Sequence, residues 1–304
     1  MKKEEKVPHQ FNSISDLHRV LGLPKPLHPL VSLVDNSRIS VEKDQVPASF
    51  LLNFYKISYK TGLSGRIKYG QHYYDFDEGG LVFTAPNQLL ATTDETEYKG
   101  YTLLIHPDFI RNYPLGKNIK NFGFFSYAVN EALHLSEKER TIIINIFTNI
   151  KEELESSIDD FSQDVMISQI ELLLNYSNRF YKRQFITRKA ANGDLLANME
   201  TLLDDYFNNE AALMKGLPTV QYLADQLHVS SHYLSDMLRS LTGQNAQQHI
   251  HNKIIEKAKE ILSISNLSVA EIAYQLGFEH PQSFNKFFKK KTNLSPLKFR
   301  QSFN

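Results

Sequence analysis

The 304-residue sequence contains no cysteine. That absence excludes disulfides, thiolate metal ligands, thiol nucleophiles and cysteine-based redox sensing at once. No run approaches the ~18 consecutive apolar residues of a membrane-spanning helix. The opening residues, MKKEEKVPHQF, carry charge with no apolar stretch behind them. No secretory signal is expected from them, and the cytoplasm is the expected compartment. Net charge is also missing, because 34 basic residues balance 34 acidic ones. What is present is an ordinary globular composition, 41% hydrophobic and 22% charged, at a length that suggests two domains.

The zero average hides an asymmetry. From residue 217 onward ten cations face six acids, a net +4 that leaves −4 for the rest of the chain. Five histidines add to the positive side below neutral pH. A basic C-terminal end points weakly toward nucleic acid.

Residues 50–105 are rich in aromatic and β-branched side chains, with Gly62, Gly65, Gly70 and the Gly79-Gly80 pair as punctuation. Short strands at such spacing predict an antiparallel sandwich or barrel. A further run, Tyr98–His106, ends at Pro107, where a sheet should stop. Tyr55, Tyr59, Tyr69, Tyr74, Phe76 and Phe83 fall in this region. They fit either an apolar effector pocket with polar tips or plain packing; Tyr55, Tyr69, Tyr74 and Phe83 are the candidate pocket residues.

Beyond about residue 130 the period changes. Ser136 with Glu139 forms a capping-box pattern, followed by the stripe Ile143, Ile146, Phe147, Ile150, Leu154. A second helix is expected over about Ser162–Lys182, apolar on more than one side (Val165, Met166, Ile167, Ile170, Leu172, Leu173, Leu174, Tyr176). Such a helix is buried either in one large core or against a second copy of the chain, so 136–182 is the candidate homodimer surface. The stretch RQFITRKAANGD lacks apolar periodicity, and residues 186–194 within it are read as an interdomain linker. The domains expected are therefore 1–185 and 195–304. The second opens on a helical stripe, Met199, Leu202, Leu203, Tyr206.

The C-terminal part of the sequence contains an internal repeat. The segment from Thr219 aligns with the segment from Ser268 at an offset of 49, with Val220 on Val269, Ala224 on Ala273 and Leu227 on Leu276. One extra residue then makes the offset 50, placing Leu234 on Phe284, Leu238 on Phe288 and Thr242 on Thr292. Each unit, 219–242 and 268–292, reads as helix, turn, helix, with Thr219 and Ser268 as N-caps and Pro281 in a first turn. Leu234, Met237, Leu238 and Leu241 form the apolar stripe of one second helix; Phe284, Phe287 and Phe288 form the other. Phe278 and Phe299 are expected in the same core. The opposite faces carry Ser231, His232, Ser235, Asp236 and Arg239, and Gln282, Ser283, Asn285, Lys286, Lys289 and Lys290. A twice-used unit with a compact polar outer face suits recognition helices lying in DNA major grooves. The helix between them, about Ala246–Ser263, is ~27 Å long at about 1.5 Å per residue. With its flanking turns it could space the two recognition helices about 34 Å apart, one turn of DNA.

The segment SVAEIAYQLGFEHPQSFNKFFKKKTNLSPLKFR resembles the DNA-binding domain of AraC/XylS transcriptional regulators. It carries the Ile-Ala…Leu-Gly-Phe turn, the Phe-Lys end of the recognition helix and the closing Ser-Pro…Arg. The resemblance covers the last ~110 residues; the upstream ~190 are only loosely similar to the cupin-like effector domains of such regulators. It implies an α+β chain: an N-terminal cupin-like antiparallel β-barrel with flanking dimerisation helices, then an all-α domain with two helix-turn-helix motifs. Double-stranded DNA is the implied partner, with a small-molecule effector and RNA polymerase as further ones. Two departures stand out: Asn293 where Gly is usual, and Asp236 where a basic residue is common.

Among base contacts, Lys286, Gln282 and Asn285 are expected in the second unit and His232, Ser235 and Ser231 in the first, since Gln and Asn pair with adenine and Lys reaches guanine. Arg239, Lys289, Lys290 and Lys291 lie toward helix ends and suit phosphates. Metal is not expected, because His72 precedes Tyr73-Tyr74 without a paired His, and His106 stands alone beside Pro107. That weighs against a metal-dependent cupin enzyme, and missing cysteine excludes a DNA-repair alkyl acceptor built on the same domain. The reading is a non-enzymatic, cofactor-free regulator, an activator under a small-molecule effector. The alternative is the same regulator with a first domain that only dimerises.

Overall fold

The computed structural model describes residues 8–39, 41, 46–61, 67–69, 72–74, 79–91, 99–128, 131–156, 159–187, 189–209 and 211–302, with backbone only at 67–69, 72–74, 91 and 189–192. The chain is mixed α+β and divides into two compact units, Met1–Gln184 and Phe185–Asn304. Among the described residues no helix is long and apolar enough to cross a membrane.

The first unit begins with β1 (His9–Phe11), α1 (Ile14–Val20) and β2 (Val31–Asp35). Next come β3 (Ser49–Leu52), β4 (Tyr55–Thr61), the short β5 (Ile67–Tyr69) and β6 (His72–Tyr74), then β7 (Gly80–Thr84), β8 (Leu89–Ala91) and β9 (Lys99–Ile105). Short helices α2 (Pro107–Ile110) and α3 (Pro114–Asn118) lead to the two-residue β10 (Leu133–His134) and the long α4 (Glu137–Glu155) and α5 (Ser162–Thr187). The main sheet has the order β10-β7-β4-β9-β2; a smaller one is β1-β3-β8, and β5 pairs with β6.

Two features depart from the expected antiparallel barrel. β1 joins β3 in parallel. Among the described residues no sheet closes on itself: β2 and β10 end the five-stranded sheet as unjoined edges, and β10 is too short to carry a ladder onward. Among the described residues the β-rich first unit is a set of open sheets, and a cupin-like barrel is not confirmed. Gly62, Gly65, Gly70 and Phe76 lie outside the described residues.

The pleat explains how the main sheet is covered on both sides. Register places Tyr55, Ile57 and Tyr59 opposite Ile105, Leu103 and Tyr101. Their face packs on α4, α5 and the 122–127 segment, with Tyr59 and Tyr101 rings 6.4 and 6.1 Å from Phe147. The other face meets α1 and the small sheet through Phe11, Ile14, Leu17, Leu52, Phe54, Val34 and Leu104. At its centre this second face is polar. Ser58 Oγ lies 3.1 Å from Thr102 Oγ1, which donates to Asn36 Oδ1 at 2.8 Å. Lys56 shares the face, and burial together with the Lys60 charge pushes its amine down to about 8.

Ser136 begins α4 as the sequence suggests, its amide donating to Glu139 at 2.9 Å. Glu139 also holds Arg183 of α5, at 3.0 Å through Nε. Helix occupies nearly all of the stretch expected as a linker: α5 runs to Thr187 and α6 (Lys189–Asn208) starts two residues later. Residue 188 lies outside the described residues. Gly193 costs roughly 1 kcal/mol inside α6, set against the strong helix formers Ala190 and Ala191 before it and Leu195, Leu196 and Ala197 after it.

The second unit is all helical: α6, α7 (Ala211–Lys215), α8 (Val220–Gln226), α9 (Ser231–Thr242), α10 (Ala246–Ile264), α11 (Val269–Gln275), α12 (Pro281–Thr292) and α13 (Pro296–Gln301). Its core is Met199, Leu203, Tyr206, Leu223, Leu234, Leu238, Ile250, Ile254, Leu262, Ile272, Phe284 and Phe288, all at most 4% exposed.

Candidate nucleic-acid interface

The sequence repeat is a structural repeat. Thr219 Oγ1 accepts from Tyr222 N at 3.0 Å to start α8, and Ser268 Oγ accepts from Glu271 N at 3.2 Å to start α11. Both first helices end in one turn: Val229 N donates to Ala224 O at 3.0 Å, and Phe278 N to Ala273 O at 2.9 Å. That turn needs a left-handed residue, His228 (φ 56°) in one unit and Gly277 (φ 89°) in the other. Ala224 and Ala273, fully buried, let the second helices cross closely. Those second helices, α9 and α12, have equal length and equal ends. Gly243 N donates to Arg239 O at 3.0 Å and Asn293 N to Lys289 O at 2.9 Å, both caps being left-handed (φ 76° and 62°). Asn293 thus does the work of the usual glycine, as Asn can.

The apolar stripes point inward. Leu234, Met237, Leu238, Phe284 and Phe288 are buried completely, and Phe278 is 7% exposed. Phe287 is half-buried, with rings of His251 and Phe278 at 5.1 and 5.7 Å, and Phe299 meets Phe288 at 5.5 Å. The polar residues named from the sequence gather on the remaining faces. On α9, His232 and Arg239 are exposed and Ser231, Ser235 and Asp236 are half-buried. On α12, Gln282, Ser283, Asn285, Lys286, Lys289, Lys290 and Lys291 are all exposed.

The two faces are not chemically equal. On α9, Asp236 pairs with Arg239 at 3.0 Å, and Ser231 Oγ donates to Gln221 Oε1 of α8 at 2.8 Å. Gln221 in turn donates to Asp225 at 2.7 Å. Gln221 is not among the residues that the repeat singles out; its place two residues after the Thr219 cap is the available signal. On the outward face of α12 Asn285 is engaged, its amide returning to Pro281 O at 3.1 Å. Among the described residues Lys286, Lys289, Lys290 and Lys291 make no ion pair.

Three other cations of the basic half are used internally. Lys253 bonds Asp204 at 2.7 Å and Lys257 bonds Asn208 at 3.1 Å, fastening α10 to α6. Arg300 donates to Leu267 O at 2.6 Å and Leu262 O at 3.3 Å, holding α13 against the turn before α11. Burial lowers the pKa of His249, and burial with the Lys291 and Lys290 charges lowers that of His251. Neither histidine therefore adds charge near neutral pH. The free positive charge is concentrated on α12.

In the first unit the candidate pocket residues separate. Tyr55 and Phe83, 8% and 4% exposed, pack in one ring cluster: Phe125 lies 5.1 and 5.5 Å from them, and Phe124 is 4.3 Å from Phe83. Tyr69 and Tyr74 sit on the β5–β6 ribbon, and their side chains lie outside the described ones, as does that of His72. His106 caps α2, accepting from Asp108 N at 3.2 Å.

Two helix-turn-helix units on a shared bridging helix, each with a polar outward helix, define a tandem helix-turn-helix domain. A helix-turn-helix domain family matches residues 223–302. YfiF of Bacillus subtilis, an uncharacterized HTH-type transcriptional regulator, is 23% identical over 252 residues, 82% of this chain and 77% of that protein. RhaS of Escherichia coli, an HTH-type transcriptional activator, is 29% identical over 140 residues. That match covers 46% of each protein, so this chain spans about half the length of RhaS. A solved structure, the C-terminal domain of the two-component response regulator yesN from Fusobacterium nucleatum, is 32% identical with a TM-score of 0.30; the match covers 98% of that domain and 34% of this chain. The C-terminal part of this chain, residues 223–302, is thus a helix-turn-helix domain of the AraC type, similar to those of HTH-type transcriptional regulators.

Proposed function

We propose that this chain is a sequence-specific regulator that reads double-stranded DNA with both recognition helices, α12 carrying most of the electrostatic affinity. The observation that carries the reading is the pair of matched helices whose outer faces hold hydrogen-bonding groups and, on α12, four unpaired lysines. Lys286, Gln282, Ser283 and Asn285 take base edges in one major groove; His232, Ser235 and Ser231 take them in the next, about 34 Å away. Asp236 suits cytosine N4, while Arg239, Lys289, Lys290 and Lys291 hold phosphates.

An activating role, with RNA polymerase as a further partner, accords with the similarity to RhaS, a transcriptional activator. A small-molecule effector of the first unit and a cytoplasmic location complete the reading. Homodimerisation through 136–182 is favoured by the apolar residues left exposed along α5, Val165 and Leu172, each 42% exposed. The same observation favours a second reading, in which the first unit only dimerises.

Selection of bound duplexes from a random library by the full chain tests the proposal. Two sequence blocks about one helical turn apart are expected. Lys286→Ala should cost about 1–3 kcal/mol and relax preference at one position. No enriched sequence, or an unchanged preference in the variant, contradicts it.

A further inference from the structure

A cavity of about 370 Å³ runs along the outer edge of β2 in the first unit. One wall is the Leu23–Leu27 segment, the other is the last turn of α4, and β2 with Tyr101 forms the floor. His18 fixes the first wall to the floor: its Nδ1 lies 2.6 Å from Pro24 O and its Nε2 3.0 Å from Ser32 Oγ. The site is therefore built in advance rather than assembled around a ligand. Leu23, Leu27, Leu33 and Leu154 supply apolar surface, and Leu27 stands 67% exposed.

The charges around this apolar surface do not cancel. Lys151 is paired with Glu155 at 3.9 Å. Asp35 Oδ1 is taken by the amide and hydroxyl of Ser37 at 3.0 and 2.7 Å. Lys25 and Arg38, on the same cavity, meet no acid among the described residues. Prolines 24 and 26 and Lys25 along this edge discourage an added β-strand, which leaves a small molecule as the occupant.

We propose that the β2-edge cavity binds a small organic carboxylate, its apolar body on Leu23, Leu33 and Leu154 and its carboxylate on Arg38 and Lys25. The volume suits a ligand of this kind, since small-molecule pockets run from about 300 Å³ upward. The inference deepens the effector part of the proposed function and depends on it only for any consequence at DNA.

The test is methyl NMR and calorimetry on the full chain without DNA, using 4-phenylbutanoate and octanoate, with 4-phenylbutan-1-ol and octan-1-ol as their neutral counterparts. Saturable shifts of the Leu33 and Leu154 methyls are expected, with each carboxylate at least about tenfold tighter than its alcohol. Arg38→Gln should remove that preference and leave alcohol binding unchanged, whereas Lys151→Gln, already paired, should leave both unchanged. Absence of saturable shifts, equal binding of acid and alcohol, shifts confined to other methyls, or a preference that survives Arg38→Gln overturns the proposal. Because binding is read without DNA, this failure is distinct from a failure of operator recognition.

Discussion

Asp236 and Arg239 form a 3.0 Å ion pair on the outward face of α9, at the positions where the repeat places Lys286 and Lys289 on α12. One recognition helix thus neutralises its own charge where the other leaves two cations free. An exposed pair three residues apart stabilises its helix by only a few tenths of a kcal/mol. In the proposed complex Arg239 must leave this pair to reach a phosphate, so the pair opposes duplex binding. Asp236→Asn should tighten duplex binding roughly three- to tenfold and steepen the log–log salt dependence by about one. Fluorescence anisotropy at several salt concentrations checks both numbers, and an unchanged slope counts against a DNA role for α9.

The turns of the two units make a contrasting pair of substitutions. A Cβ on Gly277 would stand 2.6 Å from Gly216 C and 2.9 Å from Ala212 O, at a φ of +89°. Backbone cannot retreat cheaply, so Gly277→Ala should destabilise the second unit by about 2–4 kcal/mol. His228 holds the matching position with a side chain at φ 56°. His228→Gly should therefore be neutral or stabilising by up to ~1 kcal/mol. Thermal unfolding of the full chain separates the two outcomes.

Lys56 gives the first unit a pH signature. With its folded pKa at about 8, below the ordinary 10.5, the unfolded chain binds the extra proton between those values. Stability therefore rises as pH increases from about 8 toward 10.5, and the full penalty applies below 8. Lys56→Met should remove this rise and stabilise the first unit near neutral pH by about 2 kcal/mol, the water still reaching the half-buried side chain limiting the gain. Unfolding curves at pH 7 and pH 10 for both proteins test it; a parallel response of the two would contradict this cause.

Legibility in the sequence differed sharply between the two units. The helical unit was readable because its signals are local: the 49- and 50-residue offsets, the Thr219 and Ser268 caps and the Phe284–Phe288 stripe each act within a few turns of one chain segment. The sheet unit depends on pairings between distant residues. Period-two alternation places Tyr55 and Phe83 on one face but does not say that Phe124, Phe125 and Tyr181 fill the space beyond it. Nor can alternation tell an edge strand such as β2 from one that closes a barrel. The helix through most of 186–194 was obscured because Asn192 and Gly193 read as turn residues, and their weak propensities were outweighed by their neighbours. The engagement of Ser231 by Gln221 joins two helices of one motif, and residue spacing along either helix alone does not reveal it.

Unpaired cations on the matched recognition helices are expected to carry most of this chain's affinity for duplex DNA. Titration of a selected duplex with the full chain between 50 and 200 mM salt tests it most directly. Six to ten phosphate contacts predict a loss of about 10³–10⁵ in affinity across that range, reduced in slope by about one when Lys289→Ala is introduced. Affinity that stays level with salt, or a slope indifferent to Lys289, would contradict the account.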